Sequence, residues 1–238
     1  MFARLRSGNR GFPLIIVAKP SALVFVDGSN FYYAVKKARG YALTEDEFSA
    51  FFSEIERLFD VKEIRFYDAV KDRAIEPDNY AKQQRFHARL QNKCKKVAVY
   101  CRPLQYVETV AKEKVLAAAG EMNFCDACKA SLWSLLYNLG LVTRSKEKGI
   151  DVLLATDAID LAQTRTPGWI IIVSGDADFV PAVKLIHRHN VKTLNLHGWK
   201  GSSNELRSVC TRHALIGLET GVPTIDWYGL PSLAVYQQ

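Results

Sequence analysis

The residues best placed to do chemistry in this 238-residue chain are aspartates that follow apolar runs. "ALVFVDGSN" reaches Asp27 straight after an apolar run, with Gly28, Ser29 and Asn30 behind it. "IIIVSGDAD" repeats the device, placing Ser174 and Gly175 before Asp176, with Asp178 just beyond. A further acid, Asp151, opens "IDVLLATDAI" just after Gly149. A carboxylate at the end of a buried strand is costly unless something pairs with it. Open α/β sheets bind ligands at the carboxyl ends of their strands. Each of these aspartates is therefore a helix N-cap or part of a site. If the strands ending at Asp27 and Asp176 are neighbours, their charges share one cleft. Two unit charges ~5 Å apart repel by roughly 3 kcal/mol at an effective dielectric of 20. Such a cluster calls for a cation, and oxygen-only donors suit Mg2+ or Mn2+. Asn30 adds a neutral donor and acceptor able to position a water or a phosphate.

The elements that would position these acids alternate along the chain. "ALVFV" is strand-like and leads into a helix, "NFYYAVKKARG", that stops at Gly40. "TEDEFSAFFSEIERLF" opens on Thr44 with Glu47 three residues later, a capping box, and carries phenylalanines at helical spacing. "KEIRFYDAV" and "KVAVYCRPL" are strands on either side of a basic helix that opens at Pro77. Then come two helices, "YVETVAKEKVLAAAG" and "CDACKASLWSLLYNLG", each stopped by glycine. After them run a helix at "GIDVLLATDAIDLAQ", a strand at "GWIIIVSGD", a helix at "DADFVPAVKLIHRHN" and a strand at "VKTLNLHG". This alternation predicts an α/β fold, a parallel sheet of about five strands flanked by helices. The basic segment 1–20 precedes the fold, and the Gly/Pro-punctuated tail 219–238 follows it on the surface.

With 48% hydrophobic and 24% charged residues, the chain can bury a proper core. No apolar run approaches the roughly 18–20 residues of a membrane span. Net charge is +7, which favours a polyanionic partner. The five cysteines show no secretory framework, which points to a reducing cytoplasm.

Three stretches, "VFVDGSNFYYAV", "KEKGIDVLLATDAIDLA" and "IIIVSGDADFVPAVKLIHRHNVKTL", together resemble the motifs of NYN domains, a group of PIN-like nucleases, and specifically the LabA-like branch. The resemblance covers residues 21–218 and implies a Rossmann-type PIN-like fold with a metal-dependent ribonuclease site. On it, Asp27, Asp151, Asp176 and Asp178 are the catalytic metal ligands. Asn30 belongs to the catalytic set, and Asp157 and Ser174 stand around the ligands. Asp27 would bridge two Mg2+ or Mn2+ ions across a phosphodiester of single-stranded RNA. Asp151 and Asp176 would orient the ions, and Asp178 would hold the second ion or its waters. Two departures from the pattern are a helical insertion at about 120–143 and His213, where these chains often carry aspartate.

Other features have competing readings. Cys125 and Cys128 form a CxxC, readable as half a zinc site with Cys94 and Cys101, or as ordinary cysteines. His187 and His189 suit a helix C-terminus. Trp133, Leu135, Leu136, Tyr137 and Leu139 read as core, or else as the face of a homodimer. Lys36, Lys37 and Arg39 form a basic run readable as a nucleic-acid-binding patch or as a solvated face, and for the adjacent Phe31, Tyr32 and Tyr33 stacked bases and a core packing are equally good readings. A haloacid-dehalogenase-type phosphatase needs an acid two residues after Asp27, but Ser29 stands there. A nucleotide-cofactor site fails because no GxGxxG follows the first strand. The remaining alternative is an NYN module that binds RNA or a protein partner without cutting.

Overall fold

The structure, a computed structural model, describes residues 18–108, 110–198, 202–217 and 223–227. The N-terminal segment before residue 18 and most of the tail lie outside the described residues. The chain runs β1 (Ser21–Asp27), α1 (Gly28–Arg39), α2 (Glu45–Leu58), β2 (Asp60–Val70), α3 (Pro77–Lys93) and β3 (Val97–Pro103). An excursion follows, made of β4 (Gln105–Glu108), α4 (Lys112–Glu121), α5 (Asp126–Asn138) and β5 (Thr143–Lys146). The chain returns through α6 (Ile150–Thr164), β6 (Trp169–Val173), a 3-10 turn (Ala177–Phe179), α7 (Val180–His187) and β7 (Lys192–Gly198). It finishes with α8 (Asn204–Val209), β8 (Arg212–Gly217) and β9 (Thr224–Ile225).

The main sheet has the order β3-β2-β1-β6-β7-β8-β9, parallel throughout except for the edge strand β9. It is the expected α/β architecture of a parallel sheet flanked by helices. The five anticipated strands are β1, β2, β3, β6 and β7, and the sheet extends past them. β8 escaped the sequence reading because only Ala214 and Ile216 of its residues are buried. β9 is only two residues long, yet it pairs with β8 and buries Ile225, so that part of the tail belongs to the sheet.

β1 explains itself. Ala22, Val24 and Val26 pack on one side, and Leu23 and Phe25 on the other, so both faces of the strand are covered. A strand buried on two sides must be apolar throughout, which is why no alternation shows in its sequence. One face carries α1 and α2, with Phe31, Val35, Phe48, Phe51, Phe52 and Ile55 against Val24, Val26, Ile64 and Phe66. The other carries α6 and α7, with Leu154, Ala158, Val183 and Ile186 against Leu23, Phe25, Ile170 and Ile172. Thr44 and Glu47 close the capping box, and Gly40 ends α1 at φ 81°.

The excursion is wider than the anticipated insertion. It is closed at its neck by β4 and β5, which pair antiparallel as a separate ribbon. α5 buries none of its residues, and Leu135 and Leu139 are exposed, so the core reading of its apolar face is wrong. The helix packs chiefly on α4 rather than on the sheet.

Candidate active site

The chain moves outward from β1 to β2 and β3, then returns to β6 on the other side of β1. That reversal makes the carboxyl ends of β1 and β6 a topological switch point, where open α/β sheets leave a crevice. Asp27 ends β1 there and serves as the N-cap of α1. Its carboxylate accepts from the Asn30 amide at 3.0 Å and from the Ser174 hydroxyl at 2.9 Å. Asp27 is only 5% exposed, and burial pushes its pKa to about 7, with Asp151 and Glu147 adding to the rise. The two hydrogen bonds oppose that rise without cancelling it.

Gly28 is required at the start of α1, because a Cβ there would meet the Tyr67 carbonyl oxygen at 2.6 Å. This is close approach of backbone to backbone, so the glycine serves the sheet rather than a ligand. Asn30 ties the two sides of the crevice together, its Oδ1 accepting from the Gly175 amide at 2.9 Å. Ser174 follows β6, donates to Asp27 and accepts from the Asp176 amide at 3.1 Å. One buried hydroxyl therefore fixes both aspartates. Asp176 caps the 3-10 turn, accepting from the Asp178 amide at 2.9 Å, and Asp178 itself is exposed.

Asp151 stands in the first turn of α6, after Gly149 at φ 79°. Burial raises its pKa, and Asp176 and then Asp178 raise it further. Asp151 thus lies in the field of Asp27 on one side and of Asp176 and Asp178 on the other. Asp27, Asp151 and Asp176 also sit at helical N-termini, whose partial positive charge favours an anion. Being a cap and facing the crevice prove to be compatible properties of the same side chain.

Sequence reasoning missed Glu147 and Asp68. Glu147 is half-buried beside β5, and burial, Asp68 and Asp151 all raise its pKa while Ser29 lowers it. Asp68 lies near the end of β2 and accepts from Gln83 at 2.7 Å and from His87 at 2.8 Å. The signal for Asp68 was present in "RFYDAV", since an acid near a strand's carboxyl end was the criterion already applied to Asp27. Glu147 lies four residues before Asp151 in the quoted "KEKGID". Among the described residues, no group of three or more His, Cys, Asp or Glu side chains is close enough to hold a single metal ion. The donor chemistry nonetheless suits a hard cation, because every group is a carboxylate and their mutual repulsion is unrelieved.

Two anticipated residues, Asp157 and Arg39, have other occupations. Asp157 faces β2, accepting from Arg65 at 2.9 Å and from the Tyr67 hydroxyl at 2.8 Å. Arg65 also pairs with Glu63 at 2.8 Å and lies over the Tyr100 ring at 4.7 Å. Asp157 is thus a structural pair member one and a half turns along α6 from Asp151. Asp157→Ala is expected to cost about 2 kcal/mol through the lost charged hydrogen bonds. The melting temperature should then fall by roughly 4–8 °C for a domain of this size. Its response to manganese in a thermal melt should match wild type; a blunted response would place Asp157 among the ligands.

Arg39 is also spoken for. Its side chain is 1% exposed, paired with Glu47 and lying 4.4 Å from the Tyr41 ring centroid. Lys36 and Lys37 are exposed, though Lys36 sits about 12 Å along α1 from Gly28. The aromatic run divides: Phe31 is core, whereas Tyr32 and Tyr33 are exposed, ring centroids 5.4 Å apart. His213 lies 3.4 Å from His197, within the β7–β8 pair and on neither of the strands that end in the acids.

The fold and the switch-point acids together define a PIN-like nuclease architecture. The model of the NYN domain family matches residues 21–217, and the chain belongs to that family. A stretch of 78 residues is 30% identical to the uncharacterized protein y4oD of Sinorhizobium fredii (strain NBRC 101917 / NGR234), covering 32% of this chain and 36% of that protein. The chain therefore spans about a third of that relative's length. A crystal structure of a protein of unknown function from Vibrio parahaemolyticus RIMD 2210633 superposes with a TM-score of 0.54 at 20% identity. The superposition covers 84% of this chain and 94% of that one, a likeness of fold. No helix among the described residues is long and apolar enough to cross a membrane.

Proposed function

We propose that the chain is a divalent-metal-dependent endoribonuclease acting on single-stranded RNA in a reducing cytoplasm. The observation that carries this reading is the burial of Asp27 at the switch point, which raises its pKa to about 7, with Asp151 nearby and itself raised by burial and by Asp176 and Asp178. A carboxylate buried at a crevice with a second acid in its field is poised to be neutralised by a cation. Asp27, Asp151 and Asp176 would hold Mg2+ or Mn2+, with Asp178 at the rim. When bound, the metal supplies Lewis-acid polarisation of the phosphoryl oxygen and a water of lowered pKa.

The chain's own residues do the positioning. Ser174 and the Asn30 amide fix both oxygens of Asp27, so its carboxylate cannot rotate away. The Asn30 carboxamide and Ser174 also hold the loop after β6 against α1, setting the width of the crevice. The N-termini of α1 and α6 direct backbone N–H groups toward the place a phosphate would occupy. Tyr32 and Tyr33, one turn from Asp27, offer faces on which unpaired bases stack, and Lys36 lies 5.7 Å from the Tyr32 ring centroid.

The test is incubation of the pure protein with labelled single-stranded and duplex RNA and DNA, in manganese and in EDTA. Multiple-turnover cleavage of single-stranded RNA that stops in EDTA is the expected result; cleavage that persists in EDTA would remove the metal from the mechanism. For the stacking surface, Tyr33→Ala should weaken single-stranded RNA binding by about 1–3 kcal/mol, measured in EDTA so that no substrate is consumed. Unchanged affinity would remove Tyr33 from the RNA path.

A second reading has one observation in its favour. No group of three acids is gathered about a single point among the described residues, which suits a module that binds RNA without cutting. Such a module would show the Tyr33 effect with no turnover in manganese.

A further inference from the structure

We infer that Cys125 and Cys128 form a redox-active dithiol at the exposed head of α5, one that exchanges with low-molecular-weight disulfides and closes to an intramolecular bond. The five cysteines separate into two chemical groups. Cys210 is buried, and burial holds its thiol up at about 11. Cys101 is exposed as a residue, but its sulfur faces His87 at 3.9 Å, and desolvation with the nearby Asp68 raises its pKa to about 11. Cys94 is half-buried at the C-cap of α3. Cys125 and Cys128 are both exposed, on a helix that buries nothing.

Cys125 is the N-cap of α5, and Cys128 lies three residues on, in the first turn. Residues at this spacing on a helix are about 5–6 Å apart at Cβ. A disulfide needs Cβ atoms about 3.5–4.5 Å apart, and an N-cap residue has non-helical backbone freedom to close the difference. Cys128, and after it the Ala127 amide, lower the Cys125 pKa, while Asp126 opposes them. The helix N-terminus acts in the same direction. Cys125 is the attacking thiolate on this arrangement, and Cys128 resolves.

The chemistry balances without a further cofactor. The Cys125 thiolate attacks one sulfur of a disulfide RSSR, forming a mixed disulfide and releasing one thiolate. Cys128 loses its proton to solvent and attacks the Cys125 sulfur, expelling the second thiolate. The protein dithiol gives up two electrons, and RSSR becomes two thiols. A zinc half-site is the competing reading, but no third ligand joins this pair among the described residues.

The full chain, reduced and freed of metal, would be incubated with oxidised glutathione at pH 7, quenched by alkylation and mapped by peptide mass spectrometry. Burial raises the Cys101 pKa to about 11 whereas that of Cys125 is lowered, so Cys125 holds the larger thiolate fraction, offset in part by its lower intrinsic nucleophilicity. The expected result is a Cys125–Cys128 disulfide forming at least ~10-fold faster than any adduct on Cys101. Cys128→Ser should accumulate a mixed disulfide on Cys125, and Cys125→Ser should react slowly. Comparable far-UV circular dichroism of the variants would establish that α5 remains folded. Equal reactivity of Cys101, failure of Cys128→Ser to trap an adduct, or stoichiometric zinc that protects both thiols would each overturn the inference.

Discussion

Asp27→Asn is expected to reduce RNA cleavage by at least ~10²-fold, the scale of removing one central electrostatic element from a preorganised site. The substitution isolates charge from structure unusually well. Asparagine is as good an N-cap as aspartate, so the hydrogen bond from the Asn30 amide can be kept. The Ser174 hydroxyl can rotate to accept from the new amide group while continuing to accept from the Asp176 backbone. Loss of activity with an unchanged circular dichroism spectrum would therefore report on the carboxylate. Single-turnover cleavage at saturating manganese is the measurement. Retention of more than a tenth of wild-type rate would exclude Asp27 from the chemistry, while leaving its part in folding intact.

Without metal, the same substitution is expected to stabilise the protein, and to do so more at higher pH. Asp27 titrates at about 7 in the folded chain, against 3.8 for an ordinary aspartate. Between those values the native state holds a proton that the unfolded state has released. Wild-type stability must therefore fall as pH rises from about 4 to about 7, then level off. The shift of roughly three units corresponds to about 4 kcal/mol, since each unit is worth ~1.4 kcal/mol. Asp27→Asn removes this dependence. The difference in melting temperature between the two proteins in EDTA should widen toward neutral pH, reaching about 8–16 °C. Manganese should reverse it, because the ion binds the carboxylate and stabilises the folded wild type by mass action. Melts at pH 5, 6, 7 and 8, with EDTA or with manganese, are sufficient. A pH-independent difference would mean that Asp27 is ionised throughout, and that burial does not hold its pKa up.

The acids legible in the sequence were those announced by a strand. Asp27 and Asp176 follow apolar runs that could only be buried, and Asp151 follows a glycine that turns the chain into a helix. Asp68 was passed over because it lies inside its strand rather than at its end, with Ala69 and Val70 continuing the ladder. Glu147 was hidden for a different reason: it belongs to a linker, and its proximity to Asp151 depends on how the ribbon delivers the chain to α6. Arg39 was assigned to a solvated basic run, yet a partner eight residues away on the next helix buries it. Local charge pattern contains no information about such a corner between helices. α5 misled in the opposite sense, because its leucines promised a core that the chain places elsewhere. The parallel α/β class of the sheet followed from the alternation of elements. The short strands did not, because β4 and β5 are held together by backbone pairing rather than by any hydrophobic pattern.

The ribbon has a consequence for how the molecule can be rebuilt. Gln105 stands opposite Lys146, and Glu108 opposite Thr143, so the two ends of the helical excursion are stitched side by side. Everything beyond that seam is a detachable cassette. Replacing residues 109–142 with a two-residue Asn-Gly turn would convert the neck into an ordinary β-hairpin. The seven-stranded sheet would be untouched, and the chain would still arrive at Glu147 from the same direction. The position is thus a natural docking port for foreign sequence, where a tag or a whole guest domain could be carried a ribbon's length away from the sheet.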